Sequence, residues 1–217
     1  MQAKTVTPIQ IIAGLGNPGS EYAQTRHNAG FWLVDALARA GGAAWRLDKA
    51  YQAEVCKITL AGQTLHLLKP QTFMNRSGQA VVQYMRFYRL PPESLLVAHD
   101  ELDILPGEVR LKLGGGNGGH NGLKDIQAQA GSPNFWRLRV GIGHPRSLHL
   151  NTDVAAFVLN RANAAQQAAM DTALDECLRA LPAVIAGEKV ALEGAIRSLH
   201  SLKGITVVPP NSAAVAV

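Results

Sequence analysis

A histidine, an aspartate and several asparagines stand in this sequence where strand-like runs give way to loops, the places where open α/β sheets present side chains to ligands. His27 lies in Thr25-Arg26-His27-Asn28-Ala29-Gly30, just ahead of a helical pattern. Asp100 lies in Ala98-His99-Asp100-Glu101-Leu102-Asp103, where buried hydrophobic residues lead straight into acids. An imidazole titrates near ~6.5, so a carboxylate that orients it and fixes its tautomer makes it a better proton acceptor near neutral pH. Asn17, in Gly14-Leu15-Gly16-Asn17-Pro18-Gly19, adds an amide at the end of the first strand, the glycines letting the backbone turn sharply there. Spacing alone favours a capping histidine and an ordinary turn aspartate.

Other chemistries fit less well. The glycines around Asn17 match a dinucleotide fingerprint formally, but Pro18 lacks the N–H a phosphate-cradling turn needs and the expected second-strand acid is missing. His27, His99, His120, His144 and His149 all fall near strand ends or loops, so a metal site has to be considered. There is no H-E-x-x-H or C-x-x-C, and His99-Asp100 with Asp103 is the one metal-like cluster, so no metal is assigned. No G-x-S-x-G occurs, and Ser77 reads first as a helix start. The loop Gly114 to Gly122 carries six glycines around Asn117, His120 and Asn121 but lacks a P-loop lysine. Arg110 and Lys112 are two apart on the strand entering it, so both face one side and can clamp a phosphate, with Arg139 as a third member.

These residues need a scaffold, and the chain supplies alternating strand and helix patterns. Ile9 to Leu15 reads as a buried strand, followed by a helix that Asn28 can cap and Gly41-Gly42 can stop. Gln52 to Leu60 and Thr64 to Leu68 form a hairpin about Ala61-Gly62-Gln63. A helix over Ser77 to Tyr88 follows, then a strand over Ser94 to Ala98 that delivers His99 and Asp100 to its end. Glu108 to Leu113 is another strand, Asn121 caps a helix through Ala130, Phe135 to Gly143 is strand-like, and Ala164 to about His200 is mostly helical. The expectation is one α/β domain over 1–206, a mixed twisted β-sheet packed by helices, with a flexible tail over 207–217.

Composition agrees. The 217 residues are 47% hydrophobic and 17% charged, a globular balance that excludes collagen-like, coiled-coil and disordered classes. Cys56 and Cys177 suggest neither a disulfide framework nor a zinc site, which fits a reducing cytoplasm. No apolar run approaches the ~20 residues of a membrane span, and polar residues break up what would be a signal sequence, so no membrane partner is expected. The net charge of +5 is regional: Val55 to Pro92 holds five bases and no acid, and Val109 to Leu150 six bases against Asp125 alone. A polyanion bound along the middle of the chain accounts for that, as does scattered solvated charge.

The motifs around Asn17, His27, Asp100 and the glycine loop occur in one order with Thr72-Phe73-Met74-Asn75 and Arg137-Leu138-Arg139-Val140-Gly141-Ile142-Gly143-His144-Pro145. Together they resemble bacterial peptidyl-tRNA hydrolases from about Ile9 to His200. The resemblance implies a monomeric, cytoplasmic α/β enzyme without cofactor or metal that cleaves the ester joining a peptide to the terminal ribose of tRNA. It implies that His27 is the general base, Asp100 its orienting partner, and Asn17, Asn75 and Asn121 the amides that bind substrate and position water or carbonyl. Tyr22 and Met74 would shape the pocket, His120 would meet the substrate, and Arg110, Lys112 and Arg139 would contact tRNA phosphate. Asn117 and the chain after Thr206 depart from the usual pattern and touch no position so assigned. Two other functions remain as alternatives: a non-catalytic tRNA- or ribosome-associated binding protein, and a metal-dependent hydrolase built on His99, Asp100 and Asp103.

Overall fold

The computed structural model describes residues 7–201, so the expected domain end at 206 and the tail over 207–217 lie outside the described residues. In chain order the elements are β1 (Ile11–Gly14), α1 (Ala29–Ala40), β2 (Arg46–Asp48), β3 (Ala53–Leu60), β4 (Gln63–Pro70), α2 (Ser77–Phe87), β5 (Leu95–Glu101), β6 (Val109–Leu113), α3 (Asn121–Ala130), β7 (Trp136–Gly141), α4 (Val154–Val158), α5 (Ala164–Ala186) and α6 (Lys189–His200). The strands form a mixed sheet in the order β2-β3-β4-β1-β5-β7-β6. Its centre is parallel, β1 pairing with β4 and β5 and β5 with β7, while β2–β3, β3–β4 and β6–β7 are antiparallel.

Period-two alternation divides the strand residues between two cores. Ile12, Leu67, Leu96 and Leu138 face a cluster with Leu33 and Val34 of α1, Leu181 of α5 and Leu199 of α6. Ile11, Leu68, Leu95 and Val97 face the other side, with Val81 and Met85 of α2 and Leu123 and Ile126 of α3. The central strands read as continuous apolar runs because both faces are covered. The chain leaves β1 into α1 on one face and leaves β4 into α2 on the other, so the connections diverge at the C-terminal ends of β1, β4 and β5 and open a crevice there.

Helix α1 lies backbone-on-backbone against that crevice: a Cβ on Gly30 would sit 2.2 Å from the Ala98 carbonyl oxygen and 2.4 Å from the Leu15 nitrogen. The turn chemistry expected of the first glycine motif therefore needs correction. Gly19 alone of its three glycines has a positive φ (110°), whereas Gly14 and Gly16 make room for Gly30 and for the ring of Phe31. Strand β2 was not expected. Boundaries also move: the hairpin turns at Ala61-Gly62, with Gln63 already in β4. Strand β5 extends to Glu101, because pairing with β7 carries it through His99 and Asp100. Helix α3 begins at Asn121, so His120 rather than Asn121 occupies the capping position.

Candidate active site

Residues Arg26–Asn28 form one 3-10 turn ahead of α1. At three residues per turn, successive side chains diverge by about 120°, and here they go to three different places. The Arg26 guanidinium reaches back to the carbonyls of Phe157 (3.2 Å) and Asn160 (3.1 Å) and to Gln166 Oε1 (2.9 Å), tying the turn to α4 and the start of α5. His27 Nδ1 meets Asp100 Oδ1 at 2.9 Å. Asn28 closes a pair of hydrogen bonds around the Asn17 peptide: its Oδ1 accepts from Asn17 N–H (2.9 Å) and its Nδ2 donates to Asn17 O (3.0 Å). Asn28 thus makes no side-chain cap to α1, contrary to its expected role.

The fold brings His27 and Asp100 together, and the carboxylate decides the tautomer. An ionised carboxylate only accepts, so the proton on His27 sits on Nδ1 and the lone pair of Nε2 is left to take a proton from water. The same oxygen, Asp100 Oδ1, also accepts from His120 Nε2 at 3.0 Å. Burial disfavours the Asp100 anion, but the two imidazoles outweigh it by charge and hydrogen bonding and hold the carboxyl well below the usual carboxylate range. Burial also disfavours protonation of His27, and the charge and hydrogen bond of Asp100 outweigh that, raising its pKa above the ordinary value. His99, fully buried beneath this group, donates from Nδ1 to its neighbour's main-chain oxygen (2.7 Å) and stays neutral, burial and His120 pushing its pKa down to about 3.

The amides fall into two sets. Asn17 is buried and its Oδ1 accepts from Met74 N–H at 2.8 Å, which fixes the flip of the amide and leaves Nδ2 as the end available to the crevice. Asn75, in the 3-10 turn Met74–Arg76, and Asn121, at the first position of α3, are both exposed at the cavity wall. The cavity, about 710 Å³, is lined by every expected catalytic and substrate-contacting residue: Asn17, Tyr22, His27, Met74, Asn75, Asp100, His120 and Asn121. Phe73, more than half exposed and edge-on to Tyr22, lines it too, as do Val154, Val158 and Leu159, none of which stood out in the sequence.

The glycine loop proves less free than its composition implies. Arg137 stacks on Phe135 and donates to the carbonyls of Gly115 and Gly116, while Gln127 Nε2 donates to Gly115 O at 2.8 Å. Asn117, expected to be incidental, accepts from Gly119 N–H (3.0 Å), donates to Gln127 Oε1 (3.2 Å) and lines the cavity.

Beside the cavity, Arg110 stands directly across from Arg139 and Lys112 across from Arg137, so four cations share one face of β6 and β7. Like charges directly opposite one another are destabilising. Glu101 Oε2 offsets one pair by accepting from Arg139 Nε (2.9 Å), and Glu108 lies 3.3 Å from Arg110. Because Glu101 also lines the cavity, the basic strip begins at its rim. The metal cluster considered from sequence does not assemble, since His99 is buried and Asp103 is exposed at the surface. Among the described residues, the three that do converge are His27, Asp100 and His120.

A family model described as peptidyl-tRNA hydrolase matches residues 11–203. The chain belongs to the peptidyl-tRNA hydrolase family. Among curated members, the peptidyl-tRNA hydrolase of Bordetella parapertussis is 56% identical over 197 residues, 91% of this chain and 90% of that one. That of Bordetella avium is 55% identical over 194 residues, 89% of this chain and 92% of that one. The crystal structure of peptidyl-tRNA hydrolase from Acinetobacter baumannii superposes with a TM-score of 0.82 at 46% identity, covering 89% of this chain and 95% of that chain. The family match spans the whole sheet, and no helix among the described residues is long and apolar enough to cross a membrane. Within this peptidyl-tRNA hydrolase fold, Arg26, Phe73, Asn117 and Arg137 hold or line the site although the sequence assigned them no role in it, and Asn28 holds the Asn17 peptide in place of the cap expected of it. The usable signal was polarity out of place: Arg26 and Asn28 are polar where the pattern ahead of a buried helix predicts burial.

Proposed function

We propose that His27 is the general base of this hydrolase, taking a proton through Nε2 from a water that attacks the ester of peptidyl-tRNA. The enzyme hydrolyses the bond between peptide and tRNA and frees the tRNA for reuse in translation. The observation that supports the assignment of the base is the 2.9 Å contact of His27 Nδ1 with Asp100 Oδ1, which leaves Nε2 as the proton-accepting nitrogen of a side chain that lines the cavity. As the proton moves, Asp100 stabilises the imidazolium that forms; a base so placed typically contributes about 10²–10⁴-fold.

The ester carbonyl becomes an oxyanion in the transition state, and amide N–H groups can meet it. Asn17 is the best-held candidate because Met74 N–H and Asn28 fix both its side chain and its peptide. A donor aimed at a developing oxyanion is commonly worth about 2.7–4 kcal/mol. Asn75 and Asn121, at the rim, are proposed to hold the peptide and ribose ends, with Tyr22 and Met74 shaping the wall and His120 meeting the substrate. An amide suits these tasks because it donates and accepts without titrating. Arg110, Lys112 and Arg139 are proposed to take tRNA phosphates along the strip that starts at the rim. The proposed setting is the cytoplasm, where the buried free thiols of Cys56 and Cys177 stay reduced, and the proposed acting form is a monomer.

The test is release of N-acetyl-aminoacyl product from purified tRNA conjugates, with free aminoacyl-tRNA, a chelator and His27→Ala run alongside. Chelator-resistant release from the blocked conjugate, falling about 10²-fold or more in His27→Ala with tRNA affinity retained, is expected. Near-normal turnover in His27→Ala would remove His27 from the role.

A further inference from the structure

Two imidazole nitrogens and one carboxylate oxygen converge on a single point beneath the cavity. His27 Nδ1 lies 2.9 Å and His120 Nε2 3.0 Å from the same Asp100 Oδ1, and the three atoms are all within 4.8 Å of one another. The two rings are 5.2 Å apart between centroids and inclined at 45°, and none of the three side chains is more than 12% exposed. Tetrahedral zinc with bonds of about 2.0–2.1 Å sets its ligand atoms about 3.3 Å apart. The two contacts to the oxygen therefore need to open by a few tenths of an ångström, while the two nitrogens, which lie within 4.8 Å, close toward about 3.3 Å. His120 can supply that movement, since it follows Gly118 and Gly119, both at positive φ (57° and 79°).

We propose that His27 Nδ1, Asp100 Oδ1 and His120 Nε2 bind one Zn2+ ion and that this ion inhibits the enzyme. Two imidazoles and a carboxylate suit zinc or cobalt, whereas magnesium prefers an all-oxygen octahedron. Binding takes the Nδ1 lone pair of His27, so the ring proton moves to Nε2 with no net change in the charge of the imidazole. The nitrogen that would accept a proton from water then carries one. A water on the metal would lie on the far side of the imidazole from Nε2, a ring's width from the water that Nε2 activates. His120 gives up its long contact from Leu123 N–H (3.4 Å) in the exchange, because its proton moves to Nδ1. Inhibition rests on the role of His27 proposed above; binding does not.

Binding is read by titration calorimetry of zinc chloride into the metal-stripped full chain, without tRNA, and by the visible spectrum of the Co2+ complex. One site is expected in the unmodified protein, with affinity at least about 10-fold weaker in His120→Ala and in Asp100→Asn. Circular dichroism checks folding, and His120→Gln replaces any variant that fails it. Absence of a site, or equal affinity in all variants, would overturn the proposal by placing the metal elsewhere. Activity on intact blocked conjugates is expected to fall with Zn2+, recover with EDTA and ignore Mg2+. Variant-sensitive binding with undiminished activity would overturn the inhibition and, with it, the assignment of His27 as base.

Discussion

Replacing Asp100 by asparagine separates two jobs that the carboxylate performs: holding a tautomer and stabilising a charge. Where a single histidine rests on its aspartate, the corresponding amide can turn its NH2 toward the ring and force the wrong tautomer, a loss of about 10⁴-fold. Here two imidazoles approach the same oxygen, at 2.9 and 3.0 Å. An NH2 in that position would face two N–H groups at once, whereas the amide oxygen accepts from both, so Asp100→Asn should keep its oxygen there and leave His27 Nε2 free. What is lost is the charge assistance to the imidazolium. A hydrogen bond to a charged group is worth about 1.5–3 kcal/mol, which converts to a fall of about 10–150-fold in kcat. Asp100→Ala, with no acceptor at all, leaves the tautomer unfixed and should approach the larger loss.

The pH profile supplies the second readout. The base must be neutral to act, so activity falls as pH drops through the His27 pKa, which Asp100 raises above ~6.5 while burial opposes it. Without the carboxylate charge, burial outweighs the neutral hydrogen bond that the amide oxygen keeps, and the acid limb of kcat/KM should move to lower pH, below ~6.5. The assay is release from a blocked conjugate across the pH range, under single-turnover conditions so that chemistry is observed. A 10⁴-fold loss in Asp100→Asn, or an acid limb that does not move, would refute the shared-oxygen reasoning.

Two further substitutions test the supports. Arg110→Ala and Lys112→Ala should each weaken tRNA binding and lower the slope of log affinity against log salt by about 1, with little change in single-turnover kcat; unchanged slopes in fluorescence binding titrations would take the β6 strip out of the interface. Asn28→Ala leaves the buried Asn17 peptide without partners for its N–H and its carbonyl. It should lower stability by about 1–3 kcal/mol in urea unfolding and reduce kcat more than it raises KM, through Asn17; a variant as stable as its parent would deny the clamp.

What the sequence disclosed depended on the range of the interaction involved. The sheet and helices were legible because burial periodicity is local: the apolar run of β1 and the helical spacing of α2 each announce themselves within a dozen residues. Element ends were not, since they are fixed by partners far along the chain; β5 reaches Glu101 because β7, some forty residues on, supplies the ladder. The proposed base and its carboxylate stood out as two suggestive spacings, but not that a second imidazole shares the oxygen, because His120 arrives on a loop whose glycines carry no register. Arg137 read as one more base in a basic segment. Only the fold shows its guanidinium spent on the carbonyls of Gly115 and Gly116 and on steadying the loop that carries His120.

The division of the site into held and movable parts follows from the same contacts. His27 is built into a 3-10 turn whose neighbours on both sides are clamped, Arg26 to α4 and α5 and Asn28 to the Asn17 peptide, so the base has little freedom to leave Asp100. His120 reaches the same oxygen from a loop held at Gly115, Gly116 and Asn117, after which two positive-φ glycines turn the chain back so that the main-chain N–H groups of Gly119 and His120 donate only to Asn117. Of two equally short contacts to Asp100, the one that can break without unfolding a helix or tearing a buried peptide from its partner is that of His120. Departure of His120 would free a lone pair on Asp100 Oδ1 and shorten the list of donors that share its charge, concentrating the carboxylate on His27. In the roles proposed for the two histidines, substrate that draws His120 away would therefore strengthen His27 as base at the moment the ester is in place, coupling occupancy of the cavity to its chemistry through one oxygen atom.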